Sequence, residues 1–190
     1  EGTDSVRLVG WLDECRLYAA SYSPIIRIYR PLEGTLANIM QDSCEIEQIG
    51  ADERGGCWMF TLNCRGGLSL WNSRRDRKIS EVFAEYLSEY HASVGFHEFE
   101  MLIASSDNRI GLATFEGAGD AIEWRAEHSN LINCLTLSHD RLTLAVGDDE
   151  GIVSLYHAQE FECIKRLVCS NGWILTLAFS PDDKEIATAG

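Results

Sequence analysis

Four short apolar runs in this chain each end on an aromatic residue, Tyr29, Trp71, Phe115 and Tyr156, and those residues stand 42, 44 and 41 positions apart. A self-similar period of about 40 to 45 residues, carried by short strand-like runs, marks stacked β-sheet units rather than one continuous core. The 45% hydrophobic content over 190 residues is enough to bury the inner faces of such units.

Aligned on the aromatics, each unit has four strand positions. First strands are expected at 6–10, 46–51, 93–96, 132–137 and 174–179, and second strands at 16–21, 57–62, 100–105, 142–147 and 185–190. The second strands mix period-2 alternation with continuous apolar stretches, the pattern of a sheet covered on both faces. Third strands are expected at 25–29, 68–71, 112–115 and 153–156. Turn-forming segments rich in Gly, Asn, Asp, Ser and Pro (SYSP, NCRGG, SSDN, GDDEG) separate them from the second strands. Fourth strands, at 35–40, 78–83, 121–126 and 162–167, are the weakest in pattern, as suits an outer strand. Ile79, Val82, Phe83, Tyr86, Leu87 and Tyr90 also follow helical spacing. A short strand followed by a helical insertion is therefore expected over 79–90.

Sixteen Lys and Arg against 30 Asp and Glu give a net charge of −14, which argues against broad attraction to phosphate backbones or anionic lipid. No apolar stretch approaches the roughly 18 to 20 residues of a membrane-spanning helix, and the start of the chain lacks the features of a secretory leader. The expectation is a soluble, intracellular protein, cytoplasmic or nuclear. The seven cysteines are odd in number and form no CxxC pair, and most fall inside expected strands, so reduced, buried thiols are expected.

His97 to Met101 (HEFEM) begins like a zinc-binding helix, but Met101 stands where the second ligand is needed. There is no GxSxG elbow and no glycine-rich phosphate loop. No catalytic residue, cofactor or metal is assigned, and the chain is read as a non-enzyme. The run SRRDRK at 73–78 places Arg74, Arg75, Arg77 and Lys78 on an expected loop. It reads either as a contact for phosphate, RNA or an acidic peptide, or as a solvated loop balancing local acidity.

The segments ILTLAFSPDDKEIATAG (174–190), GGLSLWN (66–72), HSNLINCLTLS (128–138) and GDDEGIVSLY (147–156) resemble the WD-repeat family of β-propellers. Asn72 stands where that family prefers Asp, and Glu127 where it prefers Gly. The resemblance implies an all-β propeller of four-stranded antiparallel blades, at approximately 5–40, 46–83, 92–126 and 132–168, with a half blade at 173–190. It further implies a place in a larger, seven-bladed ring. Such blades carry a structural tetrad of Asp in the tight turn, His before the first strand, Ser or Thr in the second strand and Trp in the third. Here Trp71, Asp107, His128 and Asp148 are its candidate members, and no unit has all four. The fourth unit has Val146 and Tyr156 at the remaining positions; the third has His91, Ser105 and Asp107 but ends in Phe115.

In a propeller the loops between second and third strands and between blades gather on one face. Arg65, Asn108, Arg109, Asp149, Glu150 and Trp173 are accordingly candidate partner-binding residues, beside Arg74, Arg75, Arg77 and Lys78. Structural roles in turns and packing compete for Asp107, Asp148 and Trp173. The leading functional expectation is a protein-protein interaction scaffold in a multi-subunit complex. A recognition module for a short peptide, modified tail or RNA, and an accessory propeller on a larger enzyme, stay open as alternatives.

Overall fold

The structure, a computed structural model, describes residues 5–12, 15–51, 58–72, 75, 77–83, 93–97, 99–115 and 121–190. Among the described residues, four four-stranded sheets and one two-stranded sheet follow one another along the chain, each made of strands consecutive in sequence. The first sheet holds β1 (Leu8–Trp11), β2 (Leu17–Ala20), β3 (Ile25–Arg30) and β4 (Thr35–Gln41). The second holds β5 (Ile46–Ala51), β6 (Trp58–Asn63), β7 (Gly67–Asn72) and β8 (Arg77–Phe83). The third holds β9 (Ser93–His97), β10 (Glu100–Ala104), β11 (Arg109–Thr114) and β12 (Ala121–Glu127). The fourth holds β13 (Ile132–Leu137), β14 (Thr143–Asp148), β15 (Ile152–His157) and β16 (Cys163–Val168). The hairpin β17 (Thr176–Phe179) and β18 (Ile186–Ala189) comes last. The 78–83 segment is thus strand, and 84–92, where the helical insertion was expected, lies outside the described residues.

Contacts divide the chain into two compact units. One comprises Glu1–Glu85, His97–Phe99 and Thr114–Ala121; the other comprises Tyr86–Phe96, Glu100–Ala113 and Ile122–Gly190. In the first unit, Tyr18, Ile26, Ile28 and Met40 of the first sheet pack on Ile46, Met59 and Trp71 of the second. Alternation explains the selection: Ile26 and Ile28 point one way along β3, Arg27 and Tyr29 the other. The opposite face of the first sheet keeps large apolar side chains exposed. Val9 and Trp11 on β1, and Leu36 and Ile39 on β4, lie exposed along the paired rows Val9–Ala19–Arg27–Ile39 and Trp11–Leu17–Tyr29–Leu36.

In the second unit the fourth sheet is covered on both faces. Leu144 and Val146 of β14 join Leu102, Ala104 and Ile110 in one core, while Ala145, with Val153, packs on Ile174 and Leu177 before and within the hairpin. This is why β14 reads as a continuous apolar run rather than an alternating one. Each such buried aliphatic side chain contributes about 1.5–3 kcal/mol relative to exposure. The outer strand β16 is largely exposed, in keeping with its weak pattern.

The cysteines differ from expectation. Cys15, Cys64, Cys163 and Cys169 are exposed, Cys44 and Cys134 are half-buried, and Cys57 lies outside the described residues. The exposed ones sit in turns, linkers and the outer strand, where a strand-like apolar run does not guarantee burial. Burial pushes the Cys134 thiol up, to about 11.

Candidate functional site

One backbone arrangement recurs three times among the described residues. The residue four positions before a buried isoleucine has its amide held by the carbonyl of the preceding tight turn. Asp42 N–H donates to Pro24 O (2.7 Å), His128 N–H to Asn108 O (2.7 Å) and Ser170 N–H to Gly151 O (3.2 Å), ahead of Ile46, Ile132 and Ile174 respectively. The linker that enters each sheet is thereby clasped to the turn before it.

In the fourth sheet, side chains complete the clasp. The Asp148 carboxylate accepts from His128 Nε2 (3.1 Å), Asn130 Nδ2 (2.9 Å) and the amides of Glu150 (3.1 Å) and Ile152 (2.8 Å). Burial alone would raise the Asp148 carboxyl, but the bonds from Asn130, Ile152 and His128 hold it below the ordinary aspartate value. A carboxylate only accepts, so His128 Nε2 carries the proton and, in the neutral ring, Nδ1 accepts from the Tyr156 hydroxyl 2.7 Å away. Burial pushes the Tyr156 phenol up, which keeps that donor proton in place.

The second sheet builds the same clasp from different residues. Ile46 pairs with Asn63 as Ile132 pairs with Asp148, and Thr61 pairs with Ser69 as Val146 pairs with Ser154. Asp42, Thr61, Asn63 and Trp71 therefore occupy the places of His128, Val146, Asp148 and Tyr156. Trp71 Nε1 donates to Thr61 Oγ1 (2.9 Å), which donates to Asp42 Oδ2 (2.7 Å). Asn63 Oδ1 accepts the amides of Arg65 (3.1 Å) and Gly67 (2.9 Å), closing the tight turn. The fully buried Asp42 carboxylate is neutralised by Lys78 Nζ at 2.8 Å, which also lies 5.0 Å over the Trp71 ring. Burial works to raise the Asp42 carboxyl; the bonds from Lys78, Thr61 and the Ser43 amide outweigh it and keep it below its ordinary value. Sequence reading missed Asp42, Thr61 and Asn63. The available signal was the spacing of Asp42 to Ile46, identical to that of His128 to Ile132.

Residues 161–190 match the family profile described as WD domain, G-beta repeat. Two curated relatives are apoptotic protease-activating factor 1 of Rattus norvegicus, 20% identical over 92% of this chain, and that of Homo sapiens, 23% identical over 70%. The chain spans only 14% and 11% of their respective lengths. Among solved structures, the β-propeller domain of Myceliophteria thermophila Cps50 (Swd1) superposes with a TM-score of 0.85 at 12% identity. That likeness covers 99% of this chain and 64% of the other. The chain has a β-propeller fold, and its residues 161–190 are similar to a WD repeat.

Each sheet is then a blade, and the candidate residues can be placed blade by blade. In the third blade, Ser105 takes the tight-turn place of Asp148, its oxygen accepting the Arg109 amide at 3.1 Å as Asp148 accepts that of Ile152. Asp107 therefore stands two residues past the tetrad position expected for it. It sits at the turn apex, accepting from the Ser105 hydroxyl and pairing with Arg109 at 2.7 Å. The Arg109 hydrogen bond, the largest influence, lowers its pKa. Arg109 also lies 4.4 Å over the Trp124 ring, so its guanidinium is committed within the blade. Asn108 adopts a left-handed φ of 66° at the end of the same turn. His91 lies outside the described residues.

The basic run does not form one loop. Arg77 and Lys78 open β8, and Lys78 is bound to Asp42 and, at 3.3 Å, to Glu81. Arg75 is exposed in a turn whose amide is bonded to Asn72, and Arg74 lies outside the described residues. Lys78 was expected on an open loop; the buried carboxylate of Asp42 draws it inward. Among the loop candidates, Arg65 and Glu150 are exposed, and the Asp149 amide is bonded to Leu131 O at 3.1 Å. Trp173 is 63% exposed, although its neighbours are fixed: Ile174 N–H donates to Asp148 O (2.9 Å) and Leu175 N–H to Ala189 O (2.8 Å).

Proposed function

We propose that this chain is a non-enzymatic interaction scaffold in an intracellular multi-subunit complex, with Trp173 a principal anchor for a protein partner. WD-repeat propellers commonly serve as protein-interaction modules, and the polar side chains of the clasps here are committed to holding loops in place. The observation that carries the reading is Trp173 itself. A large indole held in water beside a pinned turn leaves apolar area for a partner to bury, with little ordering of the backbone on binding. The relatives are named as activators of a protease, in keeping with a propeller that engages proteins. The exposed apolar side chains of the first blade, Val9, Trp11, Leu36 and Ile39, support the further proposal that these blades belong to a larger ring.

The test is a quantitative comparison of proteins co-purified with the wild-type chain and with Trp173→Ala, alongside a photocrosslinking residue placed at 173. Partners that crosslink at 173 and fall at least tenfold in the variant, at unchanged thermal midpoint, support the reading. An identical partner set with no crosslink at 173 overturns it.

A further inference from the structure

Cys44 and Cys64 lie 20 residues apart in sequence, yet their sulfurs approach to 3.0 Å. Cys44 belongs to the linker between β4 and β5, and Cys64 to the tight turn between β6 and β7. Their approach does not depend on two freely swinging side chains. Cys64 N–H donates to Glu45 O at 2.8 Å, and Asn63 Nδ2 donates to Ser43 Oγ at 3.0 Å. The strand pair that follows puts Ile46 opposite Asn63. Backbone and side-chain bonds on either side therefore hold the two thiols face to face. Cys64 is exposed and Cys44 half-buried, so small reagents reach the pair from solvent.

We propose that Cys44 and Cys64 form a reversible redox pair, oxidised to a disulfide by a peroxide and reduced by a dithiol. In the first step one thiolate attacks a peroxide oxygen; the S–O bond forms, the O–O bond breaks, and one water leaves after protonation. In the second, the other thiolate attacks the sulfenic sulfur, the S–S bond forms, the S–O bond breaks, and hydroxide departs to take up a proton as the second water. Two thiols and one hydrogen peroxide thus give one disulfide and two waters. A dithiol returns the pair to thiols by exchange and is itself oxidised. The bridge would tie the β4–β5 linker, two residues past Asp42, to the turn that carries Arg65. The hydrogen bond with Cys44, the largest influence, raises the Cys64 thiol. The thiolate is the attacking form, so oxidation of the pair accelerates about tenfold per pH unit while the thiolate is the minor form.

The experiment treats the whole chain with hydrogen peroxide, blocks remaining thiols with N-ethylmaleimide, and maps peptides without reduction. The expected product is an intramolecular Cys44–Cys64 bridge, with fragmentation separating Cys64 from Cys57, while Cys15, Cys163 and Cys169 are alkylated. The oxidised protein should melt about 10 °C higher, the scale for closing a loop of this length, and the rise should vanish with dithiothreitol. Cys64→Ser should keep the reduced midpoint and show no peroxide-dependent rise. A bridge through Cys57, only intermolecular disulfides, or independent alkylation of Cys44 and Cys64 after peroxide overturns the proposal.

Discussion

The Tyr156 hydroxyl reaches His128 directly at 2.7 Å, whereas Trp71 in the equivalent place reaches Asp42 only through Thr61. The difference follows from the second strand. Val146 supplies no hydroxyl, so a third-strand side chain whose own oxygen spans the gap is required. Tyr156→Phe leaves a buried imidazole nitrogen without its partner and should cost about 1–3 kcal/mol in urea unfolding. Tyr156→Trp alone should destabilise, and adding Val146→Thr should recover about 1 kcal/mol as a coupling in the double-mutant cycle. Strict additivity would refute the equivalence of the two clasps.

Asp42 is the hub of the second blade. Asp42→Ala strands Thr61 and Lys78 and should lower stability by about 2–4 kcal/mol, toward the low side of a buried pair because Lys78 retains some exposure. Lys78→Met leaves the buried carboxylate unneutralised and should also destabilise. Arg75→Ala and Arg77→Ala should stay within about 0.5 kcal/mol of wild type, as exposed positions do. Equal effects across the three basic residues would contradict the inward role of Lys78.

Acid should loosen both clasps. Asp42 and Asp148 have folded pKa values below the ordinary 3.8, so the unfolded chain takes up protons first as pH falls. Their stabilisation is fully present above about pH 5 and is lost as pH drops through 3.8 toward the folded values. Thermal midpoints measured from pH 7 to pH 3 should fall less steeply below pH 5 in the Asp42→Asn, Asp148→Asn double variant than in wild type. A parallel decline in both proteins would show that other carboxylates dominate.

Gly151 turns with φ of 78°, and a Cβ there would lie 2.3 Å from Ser170 O and 2.8 Å from Gly172 O. Gly151→Ala forces both the turn and the 169–173 linker to shift. It should cost about 2 kcal/mol or more and increase proteolysis within the linker ahead of Trp173. A variant as stable and as protease-resistant as wild type would mean the linker is not held by this turn.

Much of this was legible beforehand in the aromatic period. Tyr29, Trp71 and Tyr156 fall in third strands, and the turn segments separate second from third strands as read. Polar roles were harder to place. Ser105 and Asp107 both suit a tight turn, and only the register of the amides they accept distinguishes the anchoring residue from the one at the apex. Asp42 and Lys78 are 36 residues apart, and no local pattern signals that a surface-looking lysine neutralises a buried carboxylate.

The chain's own sequence determined its architecture, because a period of alternating strands and breaking turns constrains each unit through local sterics and face-by-face burial. Tertiary structure decided which polar residues meet. Hydrogen bonds depend on ångström-scale distances between residues remote in sequence, so a His, an Asp or a Ser could fill one clasp position while Tyr or Trp filled another. The same reason brought Cys44 against Cys64: their proximity is a product of two turns held by other bonds, and nothing in the spacing of the cysteines announces it.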